Sequence, residues 1–262
     1  MRVIVTRPAR EAADWVQALR AEGFDAHALP LIRIAPPPRP EALQRAWQAL
    51  ARYQALMFVS INAAEAFFAA RPAGAAWPRD TRAWAPGPGT AAALRRCGLA
   101  AGQIDAPAHD AAQFDSEALW QQVRGSAGPG LRLLLVRGTD AGAQASPLPE
   151  RGSGREWLAQ QVAQAGGSVD HVVSYERAMP TADGFDATLA RAAAGDAWLF
   201  SSSEAIAHLR ALLPQADWSR ARAVATHPRI AEAAARAGFA PVIATRPQLV
   251  HVIEALRQAA GG

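Results

Sequence analysis

The sequence contains no lysine; all 27 of its basic residues are arginine. Without a lysine amine there is no Schiff-base chemistry, no pyridoxal-phosphate anchor and no phosphate loop of the Walker type. A single cysteine, Cys97, excludes an internal disulfide and any site built from several thiolates. The six histidines show neither HxxH nor HxxxH spacing, so no metal is expected. No apolar run reaches the roughly 18 residues that a membrane helix needs. The opening MRVIVTRPAREAADW meets Glu11 and Asp14 too early for a signal peptide, and a cytoplasmic address is expected. Tyrosine is nearly as scarce as cysteine, with only Tyr53 and Tyr175. No serine has a nucleophile-elbow setting and no pair of carboxylates stands at strand ends, so few groups are left to move a proton.

What is present is a chain of 262 residues, half of them apolar, long enough for two domains of ordinary size. Its formal net charge of +4 is carried by arginines, whose planar forks suit carboxylate or phosphate. Short β-branched runs alternate with amphipathic helices, beginning with RVIVT at 2–6 and a helix that stops at Gly23. Alternating βα units imply parallel sheets with right-handed crossovers. The pieces also repeat. ALMFVSINAAEAFF at 55–68 matches AWLFSSSEAIAHL at 197–209, and RAWAPGPGTAAALRRCGL at 82–99 matches RAVATHPRIAEAAARAGF at 222–239. RVIVTRP with its helix echoes RLLLVRG and the helix that follows it. Two similar α/β lobes of about five strands each are expected.

Two stretches read as crossings between the lobes: Ala28 to Ile34, which runs into a proline cluster, and Asp170 to Pro180, which holds Tyr175. The expected partition is residues 1–34 with 174–262 in lobe 1, and 38–170 in an inserted lobe 2. In such sheets a ligand binds beyond the carboxyl ends of the strands, which for two facing lobes means the cleft between them. The residues there are Thr6 and Arg7, Ser60 and Asn62, Gly87 to Thr90, Arg137 and Gly138, Ser201 to Ser203, and Thr226 and His227. Helix starts at strand ends offer unpaired N–H groups, a rim suited to anions. Ser, Thr and Asn are also the ordinary first residues of helices, so each has a capping reading beside the functional one. GPGTAAA at 87–93 imitates a dinucleotide fingerprint, with Asp105 at ribose distance. Its two prolines and its glycine-free copy, ATHPRIA, argue against a nicotinamide cofactor. Tyr175, at a lobe crossing, is the remaining candidate for a proton donor.

VTRP at 5–8, LPLIRI at 29–34, MFVSINA at 57–63, GPGTAAAL at 87–94, VRG at 136–138, GREWL at 154–158, YER at 175–177 and FSSSEAI at 200–206 follow one another in an order and spacing that resemble the uroporphyrinogen-III synthase family. The resemblance covers essentially the whole chain. It implies two flavodoxin-like lobes joined by a two-stranded ladder, with the active site between them. It also implies a lyase of tetrapyrrole biosynthesis that needs no cofactor. The implied substrate is hydroxymethylbilane, a linear tetrapyrrole with eight carboxylates, which loses water and closes with ring D inverted. Tyr175 matches the family's tyrosine in the role of acid. Ser60, Thr90 and Ser202 match family positions, and Arg137 and Arg155 match the charged part of the third motif, as candidate contacts to substrate carboxylates. The chain departs from the family where a threonine is expected near Ile230, and Thr226 or His227 is expected to substitute. The insertion 139–153 is longer than the family pattern and reads as a surface loop. A monomer is expected, with a possible handover of substrate from the preceding deaminase. The competing reading is a non-catalytic two-lobed module for an anionic small molecule. The arginines form no basic stripe with interleaved aromatics, so nucleic acid is not an expected partner.

Overall fold

The computed structural model describes residues 1–108, 115–141 and 154–261, without the side chains of 154–156 and 261. In chain order the elements begin β1 (Arg2–Val5), α1 (Ala9–Ala21), β2 (Asp25–Ala28), β3 (Arg33–Ala35), α2 (Pro40–Gln48), β4 (Ala55–Phe58) and α3 (Ile61–Ala69). Then come β5 (Arg82–Trp84), α4 (Pro88–Arg96), β6 (Ile104–Asp105), α5 (Ser116–Val123), β7 (Arg132–Asp140), α6 (Gly154–Gln164) and β8 (Ser168–Ala178). The last third holds α7 (Ala187–Ala192), β9 (Ala197–Phe200), α8 (Ser203–Leu212), β10 (Arg222–Ala225), α9 (Pro228–Arg236), β11 (Val242–Ala244) and α10 (Leu249–Gly261). The chain divides into two compact units, Met1–Arg33 with Ala178–Gly262, and Ile34–Arg177.

The sheet of the first unit runs β11-β10-β9-β1-β2, with every neighbouring pair parallel. Numbered along the chain this is the flavodoxin order, 2-1-3-4-5. The second sheet runs β3-β8-β7-β4-β5-β6. If β7 is taken as its first strand and β3 is set aside, the same order returns, so the second sheet is a circular permutation of the first. Each repeat seen in the sequence accordingly occupies the same place in its sheet: β4 with β9, β5 with β10, β7 with β1. The paired helices α4 and α9 both start on a proline and end at a left-handed glycine, Gly98 and Gly238, with φ of 98° and 99°. Proline gives up no hydrogen bond at a first helical position, and glycine takes up positive φ without a Cβ penalty.

The central strands are buried along their whole length, ALMF in β4 and AWLF in β9, as helices on both faces of a parallel sheet require. Each unit has its own aromatic core. Trp47, Phe58, Phe67 and Phe68 pack together in the second unit; Trp198, Phe200, Trp218 and Phe239 pack in the first. Fully burying a side chain of this kind contributes about 1.5–3 kcal/mol.

Several elements differ from the sequence reading. The second sheet has six strands rather than five, because β3 joins its edge next to β8; the two strands expected to pair as a ladder do so there. The crossing expected at Ala28 to Ile34 is not one continuous strand: β2 ends at Ala28 and β3 starts at Arg33, with Pro30, which has no N–H to give a ladder, between them. The strand expected to end at 138 continues, and Thr139 and Asp140 pair with Glu176 and Arg177 of β8. The part of the insertion from 142 to 153 lies outside the described residues.

Candidate functional site

At the carboxyl edge of the second sheet, β7 and β8 run parallel in simple register from Arg132–Ser168 to Arg137–Val173. The next pair is Gly138 with Tyr175, so Ser174 is an extra residue on β8. This is a β-bulge, and it changes which face Tyr175 points to. Partners in register share a face and neighbours alternate. Arg137 and Val173 therefore share one face, and the bulge sends Tyr175 to the other, with Val136, Val172 and Gly138. Ser174 is fully buried and its hydroxyl donates to the Arg137 carbonyl at 3.3 Å, which satisfies both groups at the irregularity.

The Tyr175 ring is buried, and its hydroxyl lies 3.2 Å from Ser60 Oγ. Ser60 follows β4 and caps α3, accepting the Ala63 N–H at 3.1 Å. With one proton and a second lone pair left on Ser60 Oγ, either hydroxyl can donate across this contact; when Ser60 donates, the phenol proton is available to a third group. Tyr175 and Ser60 meet beside the parallel pair β4 and β7, between which the strand order reverses, the switch point at which sheets of this order bind ligands. Thr90 is buried in the first turn of α4, and Asn62 is the second residue of α3. Arg137 leaves from the opposite sheet face, and its Nε is buried without a hydrogen-bond partner among the described residues. Arg155 lies on α6, but its side chain is outside the described residues.

The first unit presents its own set at the carboxyl edge of its sheet. The Thr6 hydroxyl is buried and donates to the Leu199 carbonyl at 2.8 Å, clasping β1 to β9 at that sheet's switch point. Arg7 is stacked over the Trp15 ring at 4.4 Å and reaches Glu11 at 3.4 Å. Burial holds its guanidinium below the usual arginine value, with Glu11 opposing that shift. Its Nε, too, is buried with no partner among the described residues, a spare donor for an anion. Ser202 caps α8 by accepting the Glu204 N–H at 3.1 Å. His227 caps α9 through Nδ1, which accepts the Arg229 N–H at 3.1 Å, and Thr226 is buried just before it. Ile230 occupies the helical position that Thr90 holds in the other unit, so no hydroxyl replaces the missing threonine at that place.

Of the residues expected from the sequence, Tyr175 touches Ser60 through its hydroxyl and lies over Gly138 with its ring. Ser174 was missed. It is recognisable only from the register of β8 against β7. Among the described residues no group of three His, Cys, Asp or Glu side chains could hold a metal ion, and no helix is long and apolar enough to cross a membrane.

The strand orders and the polar switch points define a protein of two α/β units of flavodoxin type. Solved structures share this fold. A mutant uroporphyrinogen III synthase from the extremely thermophilic bacterium Thermus thermophilus superposes with a TM-score of 0.55 at 19% identity, over 100% of this chain and 99% of that one. The uroporphyrinogen-III synthetase of Helicobacter pylori gives 0.57 at 16%, over 99% and 100%. No curated protein sequence matches. A family model described as uroporphyrinogen-III synthase HemD matches residues 13–254, and the chain belongs to that family.

Proposed function

We propose that this chain is a uroporphyrinogen-III synthase: it closes hydroxymethylbilane to uroporphyrinogen III with loss of one water and inversion of ring D, a lyase step in tetrapyrrole biosynthesis. The observation that carries this reading is the family match over 13–254 together with the Tyr175 hydroxyl held on Ser60. The phenol of Tyr175 protonates the departing hydroxyl of the ring A carbinol, and water leaves. Ser60, which also accepts the Ala63 N–H, donates a hydrogen bond to the phenolate, and the amino end of α3 favours the negative charge. The cationic methylene carbon is then attacked by the substituted carbon of ring D. Inversion follows through a spiro intermediate, and the proton lost when the pyrrole regains aromaticity restores the phenol.

Selectivity is a matter of positioning, since the direct closure to the type I isomer competes. In this reading both units, Met1–Arg33 with Ala178–Gly262 and Ile34–Arg177, contribute residues that hold the substrate. Thr6, Arg7, Asn62, Thr90, Arg137, Gly138, Arg155, Ser202, Thr226 and His227 line the site. The spare Nε donors of Arg7 and Arg137 support carboxylate contacts, each contributing about 1.5–3 kcal/mol. The hydroxyl of Thr6 and the ring nitrogen of His227 are already engaged within their own unit, so their contribution is to shape the rim. The enzyme acts as a cytoplasmic monomer that receives bilane from the preceding deaminase.

The test is to supply bilane freshly made by the deaminase, oxidise the products and separate the isomers. Type III is expected to dominate. Type I alone, with the bilane still bound, would make the chain a binding module and remove Tyr175 from its role.

A further inference from the structure

Gly138 stands at the one place on β7 where a side chain is sterically excluded by the group that the bulge brings over it. A Cβ built there would lie 2.4 Å from Cζ of Tyr175 and 2.7 and 2.8 Å from its two Cε atoms. These are the atoms at the hydroxyl end of the ring, so the hydroxyl-bearing half of the phenol rests directly on the glycine backbone. The backbone of Gly138 is outside the left-handed region, so alanine is conformationally permitted and the ring alone forbids it. The ring is 4% exposed and is fixed on the far side by the Ser60 contact, so it has little room to yield. One residue away, Ser174 holds the bulge with its hydroxyl on the Arg137 carbonyl.

We propose that Gly138 and Ser174 are positioning residues for the Tyr175 phenol: the bulge turns the ring onto this face, and the missing side chain sets its depth, so that the hydroxyl meets Ser60 at the carboxyl edge. This rests on Tyr175 as the proton donor, and it gives Gly138 a role distinct from touching substrate. The role of Ser174 follows from the same geometry. Were Ser174 in register with Gly138, with no bulge, Tyr175 would pair with Thr139 and face the side of Arg137, away from Ser60.

The experiment compares Gly138→Ala, Ser174→Ala, Tyr175→Phe and Gly138→Ala/Tyr175→Phe in the full chain. The protein carries ring-labelled tyrosine, whose two signals, Tyr53 and Tyr175, are assigned from Tyr175→Phe. In Gly138→Ala the Tyr175 ring signals shift while those of Tyr53 stay. The kcat falls by about 10²-fold, the consequence of a misplacement near 1 Å, and KM is retained. Adding Gly138→Ala to Tyr175→Phe lowers kcat no further, because the glycine acts through the phenol. Ser174→Ala shifts the same Tyr175 signals. Should Gly138→Ala fail to fold, Gly138→Ala/Tyr175→Ala removes the ring and restores a soluble, cooperatively melting protein. A double variant as defective as the single one overturns the proposal, as do Tyr175 signals unmoved by Gly138→Ala. If those signals move while Tyr175→Phe keeps full turnover, the positioning stands and the proton-donor reading falls.

Discussion

Tyr175 carries its hydroxyl on a ring that is buried against Gly138, so its removal changes chemistry more than packing. Tyr175→Phe keeps the ring and loses only the proton donor. Turnover is expected to drop by about 10²- to 10⁴-fold, the range for a general acid, with an unaltered circular dichroism spectrum. The same variant leaves Tyr53 as the last tyrosine. Partial burial, and then its hydrogen bond to Asp170 at 2.9 Å, push the Tyr53 phenol above its ordinary value of 10.0. Both favour the neutral phenol in the folded state. The stability it adds is therefore complete below the unfolded value and is lost as pH rises through the higher folded one. An alkaline absorbance titration of Tyr175→Phe should place the Tyr53 midpoint above 10.0, and Asp170→Asn should bring it down. A midpoint unmoved by Asp170→Asn would show that burial alone is responsible.

Among the helices, α3 and α8 are repeats with the same cap, Ser60 and Ser202. Alanine at either removes the acceptor for one amide and should cost ~1 kcal/mol, read as a fall of about 2–4 °C in Tm. Their effects on activity should part. Ser60→Ala also removes the hydroxyl beside Tyr175 and lowers kcat, whereas Ser202→Ala acts on KM; equal kcat losses would break the link between Ser60 and the phenol. Much of this arrangement is legible in the sequence. The repeats around Phe58 and Phe200 point to matching strands, and Gly98 and Gly238 mark matching helix ends. Ser60 is readable as a cap from its place after an apolar run. Its contact with Tyr175 is not, since the two are 115 positions apart and meet only because β7 lies between β4 and β8. The bulge is hidden for the same reason: an extra residue is defined by its partner strand, and Ser174 in isolation extends the pattern without a break. Nor does the sequence show that Thr6 uses its hydroxyl on Leu199, because a threonine at a strand end reads equally as a free donor.

Taken together, the chain's 27 basic residues are all arginine, and its net value of +4 suits the eight carboxylates of the proposed substrate. Encounter between them should be screened by salt, while a mostly buried group such as Arg7 is screened much less. Raising ionic strength should increase KM with kcat nearly constant; a fall in kcat with steady KM would locate the salt effect in the chemical step instead. The division of the chain has another consequence, for synthesis. The first 33 residues leave the ribosome with β1 and β2, yet β1 needs β9 on its other side, and β9 begins only at Ala197. The inserted unit is contiguous and finds all its sheet partners earlier. It folds first, while the preceding βαβ segment waits, tethered and exposing the apolar faces of Val3, Ile4 and Val5, until β9 has been made. That interval is when the nascent protein most needs a chaperone.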